Sequence, residues 1–187
     1  MTLYPAFLKL DGLPVLVVGA GPVAASKIEG LVAAGARVTV VAPAVSAAVR
    51  AHAVATVERA FEPADLDGVR WVVTAAPPEV NARVAAEAEA RGIFVNAVDD
   101  TAASTAYLGG VVRRGDVTLA ISTGGRAPAL AGLLREALAE VLPEDLDAWM
   151  AIAREARLDW LARQLPITER RPLLLRALTQ LYARRAA

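Results

Sequence analysis

The residues Gly19-Ala-Gly-Pro-Val-Ala24 follow the apolar run Pro14 to Val18 and precede an Ala-rich helical pattern. Gly19 permits a tight turn out of a strand. Gly21 lets a phosphate approach backbone with no Cβ in the way, and Ala24 is small enough for the helix to pack close to the strand. The helix N-terminus offers free N–H groups and the positive end of a dipole. Together these suit the pyrophosphate of a dinucleotide. A purely structural glycine turn is the alternative, and the strand–turn–helix setting favours the cofactor, with Gly19, Gly21, Pro22 and Val23 at the turn.

Other residues with chemistry lie where further strands would end. Strand two would close on Val41-Ala-Pro-Ala44, where dinucleotide folds usually place a carboxylate for the ribose hydroxyls. No Asp or Glu occurs from Gly30 through Val57. The ribose is left to backbone groups or a hydroxyl such as Ser46. No arginine immediately follows to welcome a 2′-phosphate, which favours NAD over NADP. Thr74-Ala-Ala-Pro77 puts small residues, Thr74 and Ala75 first, where a strand passes under a cofactor. Asp99 and Asp100 follow a strand end in the same crevice, where a carboxylate can take a proton as a substrate is oxidised. A solvated loop cap is their plainer reading. Ser122-Thr-Gly-Gly-Arg-Ala-Pro128 is a second Gly-rich segment, and its hydroxyls, N–H groups and Arg126 make an anion seat as readily as an ordinary connection.

Several chemistries are excluded. His52 is the single histidine and there is no cysteine. That removes disulfides, thiolate catalysis and Cys-ligated metal, and leaves no convincing Ser-His-Asp set, so no metal site is expected. Basic and acidic residues balance at 20 each, so nothing in the overall charge points to nucleic acid or a membrane surface. No uncharged apolar run reaches the ~20 residues of a membrane span, and no signal peptide is visible at the N-terminus. A cytoplasmic protein is expected. The arginines crowding the C-terminal helices, among them Arg154, Arg157, Arg163 and Arg170, read as a solvated face interleaved with acids.

The elements that must hold these residues alternate. Strands are predicted at 7–10, 14–18, 37–41, 56–59, 71–74 and 93–96, with helices at 26–34, 46–53 and 77–90 and a turn at 65–68. Short connections and alternation imply a Rossmann-like parallel sheet covered on both faces. After Asp99 the pattern changes to a hairpin, 107–113 and 117–122 about a turn at 114–116. Helices follow over 130–141, 145–163 and 168–185, parted by Pro143 and Pro166. The expected division is 1–112 for the nucleotide domain, 113–143 for a hairpin-plus-helix dimerisation region and 144–187 for a C-terminal helical domain.

In order and spacing these motifs resemble the siroheme synthase N-terminal family, the precorrin-2 dehydrogenases with or without sirohydrochlorin ferrochelatase activity. The likeness runs through Tyr4-Pro-Ala-Phe-Leu-Lys-Leu10, Val17 to Ala24 with Lys27, Gly35 to Val40, Asn96-Ala-Val-Asp99, Ile121 to Pro128, and Leu133-Leu-Arg-Glu136. It implies NAD-dependent oxidation of precorrin-2 to sirohydrochlorin by a homodimer. It places the family's catalytic aspartate on Asp99 and its nucleotide contacts on Pro22, Val23, Pro43 and Ala44. It implies a substrate seat at Asn96, Ser122, Thr123, Gly124 and Arg126. Thr123 matches a position that is a phosphorylatable serine in some relatives.

The chain departs from the family after the aspartate. Relatives often carry Phe and Pro there, whereas this chain has Thr105-Ala-Tyr107 and Gly109-Gly110. That bears on substrate placement and on any chelatase role, and Asp100 adds a second candidate base. With no methyltransferase domain after Ala187, methylation of the precursor is expected of another protein. Two rivals stand beside the dehydrogenase: a bifunctional dehydrogenase–ferrochelatase, and a non-catalytic NAD-sensing module.

Overall fold

The computed structural model describes residues 3–52 and 54–186. It divides into two compact units, 1–108 and 109–187.

The first unit is built on five parallel strands, β1 (Pro14–Val18), β2 (Arg37–Val41), β3 (Ala55–Val57), β4 (Trp71–Thr74) and β5 (Phe94–Ala97), in the order β3-β2-β1-β4-β5. Parallel strands buried on both faces read as nearly unbroken apolar runs. β1 and β4 do so, with Val15 to Val18 and Trp71 to Thr74 all buried. Side chains alternate between the faces. Val15, Val17, Val40 and Val73 pack against α1 (Pro22–Ala33) and α2 (Ala47–Arg50), while Leu16, Val18, Val41, Val72 and Val95 pack against α3 (Pro78–Glu89). α1 buries Ala24, Ile28 and Leu31, one turn apart, and α3 buries Asn81, Val84, Ala85 and Ala88 on its single inner face. The covered parallel sheet is the one expected.

This strand order has one consequence for function. The chain leaves β1 toward β2 and β3, then returns to lay β4 on the other side of β1. The loops after β1 and β4 therefore diverge and open a crevice at their carboxyl ends, the position where open α/β sheets bind ligands.

Some elements differ from expectation. Residues 7–10 form no strand, because β1 is already paired on both sides by β2 and β4 and has no edge left for a hairpin partner. Only the turn is real: Leu13 N–H donates to Leu10 O at 2.9 Å. α1 starts four residues early, with Pro22 in its first turn, where a missing N–H costs nothing. α2 is a single turn over 47–50 rather than 46–53, and Ala53 lies outside the described residues. The turn expected at 65–68 begins as a 3₁₀ turn, Pro63–Leu66, closed by a reciprocal cap between Glu62 and Asp65.

Asp65 also takes a paired hydrogen bond from Arg59 at 2.6 and 2.8 Å. That bond holds the Asp65 carboxyl below its ordinary value, with partial burial opposing and the Glu62 N–H assisting. A lowered folded pKa stabilises above the ordinary aspartate range, and the contribution is lost as pH falls through the lowered value. Asp65→Asn is expected to lower Tm at neutral pH, and the gap to wild type to narrow as melts are taken below the ordinary aspartate range.

The second unit opens with an antiparallel hairpin, β6 (Gly110–Arg114) and β7 (Val117–Ile121), turning at Gly115 and Asp116. The expected first strand began three residues early. β7 ends at Ile121, opposite Gly110, so 107–109 have no partner, and at this open end a Cβ on Gly109 would collide with the Ile121 carbonyl. Helix α4 (Pro128–Val141) lies on β6 closely enough for the Ala131 carbonyl to approach Gly110. The Arg114 guanidinium caps its last carbonyls, donating to Ala139 and Leu142. Helices α5 (Leu146–Ala162) and α6 (Ile167–Ala186) pair through Trp149, whose Nε1–H donates to the Tyr182 hydroxyl at 2.7 Å.

Candidate functional site

The turns after β1 and β4 touch at their start, at Gly19 and Ala75, before they diverge around the crevice. Gly19 has φ +102°, a conformation costly for any residue with a Cβ, and its N–H donates to Val41 O at 2.9 Å. A Cβ here would lie 2.7 Å from the Ala75 carbonyl carbon. The turn after β1 is thus pressed against the backbone after β4. Gly21 is the opposite case, with nothing within 4 Å of where its Cβ would sit. One glycine permits contact between protein segments, and the other keeps a space clear.

That space faces the start of α1, where no side chain caps the helix and no acid occupies the first turn. Pro22 has no N–H, and among the described residues none accepts from the N–H of Val23 or Ala24. Pro22 and Val23 are exposed at the mouth, and Ala24 is fully buried beneath it. Two unclaimed donors on a positive dipole end, beside a gap a Cβ would fill, fit a dinucleotide pyrophosphate.

At the next strand end Ala42 is buried, while Pro43 and Ala44 are exposed. Ser46 ties this loop to the glycine turn, its N–H donating to Ala20 O at 3.3 Å. Its hydroxyl accepts from Val49 N–H to cap α2, which leaves the hydroxyl proton for another acceptor. The basic groups at this end are paired, Arg50 with Glu58 and Arg59 with Asp65, each at 2.6 Å.

Thr74 is completely buried and its hydroxyl donates to Asn81 Oδ1 at 2.5 Å. The same oxygen accepts from Ala76 N–H at 3.0 Å. Thr74 thus turns its side chain away from the crevice and holds the loop, leaving Ala75 to present backbone. Asn81, which the sequence reading passed over, fixes the wall that Gly19 meets. Its signal was a polar residue on the inner stripe of α3. Thr74→Val is expected to cost about 1–3 kcal/mol by leaving buried polar groups short of a partner, and to weaken nucleotide binding. Thr74→Ser retains both, as urea melts and a nucleotide titration would read.

At the end of β5 the two aspartates separate. Asp99 is exposed at φ +60°, and among the described residues its carboxylate has no hydrogen-bond partner. Asp100 is half-buried, and its Oδ1 accepts from the N–H groups of Ala102 and Ala103, both at 3.0 Å. Asn96 is buried, with its amide donating to Ala106 O at 2.9 Å, so it fastens the returning loop.

In the second unit Ser122, Thr123, Gly124 and Arg126 share one turn between β7 and α4. Gly124 and Gly125 both have positive φ, and Ser122 Oγ and Thr123 Oγ1 accept from Gly124 and Ala127 N–H. Arg126 is exposed and has no carboxylate partner among the described residues. Also among these residues, no group of three or more acidic or histidine side chains is placed to hold a metal. Among the described residues, no helix is long and apolar enough to cross a membrane.

Known proteins share both halves of this arrangement. The model of the family described as putative NAD(P)-binding matches residues 6–110, and that described as sirohaem biosynthesis protein central matches 114–140. Siroheme synthase 1 of Aeromonas salmonicida is 43% identical over 185 residues, which cover 96% of this chain and 39% of that protein. Siroheme synthase 2 of Aeromonas hydrophila is 42% identical over 160 residues, 84% of this chain and 34% of that one. The chain therefore spans about two-fifths or less of these relatives. A solved structure named SirC, precorrin-2 dehydrogenase, superposes with a TM-score of 0.70 at 27% identity, covering 93% of this chain and 88% of that one. The chain belongs to the putative NAD(P)-binding family, in the group that includes siroheme synthases and this precorrin-2 dehydrogenase.

Proposed function

We propose that the protein is an NAD-dependent dehydrogenase that oxidises precorrin-2 to sirohydrochlorin. The observation that carries it is the crevice beside β1, with clear space at Gly21 and unclaimed N–H groups at α1, and a free carboxylate on Asp99 at the end of β5 in the same sheet. The whole-length likeness to SirC supplies the substrate class.

The residues divide the work as follows. Gly19, Gly21, Pro22 and Val23 cradle the pyrophosphate, and Pro43, Ala44 and the backbone at Ala75 border the nucleoside. The paired arginines favour NAD, since among the described residues at this strand end no unpaired cation awaits a 2′-phosphate. When bound, NAD supplies the acceptor for a hydride. The oxidation removes two hydrogens from the tetrapyrrole, one as that hydride and one as a proton, and Asp99 takes the proton. Asn96 holds the loop that carries Asp99. Ser122, Thr123, Gly124 and Arg126 bind substrate carboxylates, Arg126 by charge-assisted hydrogen bonds. Residues 113–143 serve a homodimer and 144–187 a helical domain, in a cytoplasmic enzyme. The rival is a bifunctional dehydrogenase–ferrochelatase, which loss of both oxidation and iron insertion in Asp99→Ala would support.

The test mixes purified protein with NAD and enzymatically generated precorrin-2, without metal, and follows NADH absorbance with the sirohydrochlorin spectrum. Both products are expected. A folded protein that binds NAD and turns over no tetrapyrrole would overturn the reading in favour of a sensing module.

A further inference from the structure

The segment from Ala97 to Tyr107 is built to hold one residue. β5 is an edge strand, and two hydroxyls satisfy its exposed backbone where a sixth strand would lie. Thr105 Oγ1 accepts from Val95 N–H at 2.8 Å, and Ser104 Oγ accepts from Ala97 N–H at 2.9 Å. The chain's own return completes the edge, because Thr105 and Ala106 N–H both donate to Val95 O. Ser104 also spans the turn, with its one proton shared between Asp100 O at 2.8 Å and Ala97 O at 3.0 Å. Asp100 closes it from the other side through the N–H groups of Ala102 and Ala103. Tyr107 reaches back to Thr101 O at 2.8 Å. Among these residues Asp99 alone sits at positive φ and alone leaves a carboxylate unused.

An L residue in the left-handed region costs about 1–2 kcal/mol, so it persists only where its surroundings fix it. Here the fixing groups flank it on both sides. We propose that Asp100 and Ser104 are positioning residues that hold Asp99 as the proton acceptor, and that Asp100 takes no proton itself. This rests on the dehydrogenase reading above. It predicts a difference between two substitutions of one residue. Asparagine keeps the Oδ1 that both N–H groups use, but it is no base. Alanine removes the acceptor and releases the turn.

The experiment measures kcat and KM in the NADH assay for Asp100→Asn, Asp100→Ala and Ser104→Ala beside wild type and Asp99→Asn. Asp100→Asn is expected to retain activity within about 3-fold, with Asp100→Ala and Ser104→Ala losing about 10- to 100-fold in kcat, the scale of a small misplacement of a reacting group. KM for NAD is expected to stay level, and kcat is taken per NAD-binding site counted by titration, so that a loss of folded protein does not pass for a loss of chemistry. Asp100→Asn falling as far as Asp99→Asn would make Asp100 a base and overturn the proposal, as would full activity in Asp100→Ala. Amide exchange at Ala102 and Ala103 reads the anchoring without turnover. Protection retained in Asp100→Asn and lost in Asp100→Ala supports it, and equal exchange in both overturns it. A wild type with no turnover would sink the dehydrogenase reading, and the exchange result would still stand or fall separately.

Discussion

Asp99→Asn is expected to lower NADH formation by about 10²- to 10⁴-fold, the range by which a positioned general base accelerates a reaction. NAD affinity, measured by titration, is expected to stay near wild type, because the pyrophosphate cradle draws nothing from this residue. Asparagine is the informative choice. It is one of the few side chains that tolerates φ near +60°, so the loop keeps its shape while the base is removed. Asp99→Ala removes the base too but adds backbone strain, and a loss there mixes chemistry with folding. Asp99→Gly relaxes the backbone and lacks the base, so it is expected to be as inactive as Asp99→Asn. The three together separate a missing proton acceptor from a disturbed loop. An Asp99→Asn protein with normal turnover would remove the carboxylate from the mechanism.

Much of this site was legible in the sequence because its signals are local. The glycine turn, the small residue at Ala24 and the absent ribose carboxylate are all read within a few residues of a strand end, and the structure places them together at one crevice. The apolar runs of β1 and β4 carried the parallel sheet for the same reason. What escaped were features that depend on pairing. The strand predicted at 7–10 has the right composition, but β1 has no free edge to pair with it, and composition does not report which edges are taken. Asp99 and Asp100 are indistinguishable by type. Only the folded loop shows one spent on Ala102 and Ala103 and the other left free. Thr74 looked like a group facing the cofactor because of its place at a strand end. Its hydroxyl instead goes to Asn81, seven residues on and brought back by one helical turn of α3. Such exchanges depend on which way side chains point, which strand-end position alone does not determine.

The two glycines of the turn are expected to fail in opposite ways, and that contrast tests the cradle more sharply than either variant alone. In Gly19→Ala the new Cβ meets the Ala75 carbonyl group, backbone that Asn81 holds in place, and the residue must keep φ +102°. Neither wall yields cheaply, so unfolding free energy is expected to fall by at least about 2 kcal/mol, read by urea melts without nucleotide. In Gly21→Ala the Cβ meets no protein atom, and φ is an ordinary −82°. Its apo stability is expected to match wild type within about 0.5 kcal/mol. Yet that methyl enters the space beside the Val23 and Ala24 N–H groups, so NAD affinity is expected to fall at least about 10-fold, or about 1.4 kcal/mol. The thermal shift that saturating NAD gives wild type is then expected to shrink in Gly21→Ala. If Gly21→Ala instead bound NAD normally, the pyrophosphate would not lie over α1, and the cradle would have to be sought elsewhere on the sheet. If it lost stability without nucleotide, Gly21 would be serving the fold rather than the ligand. Equal nucleotide affinity with a collapsed Gly19→Ala would leave the β1–β4 crevice as architecture alone.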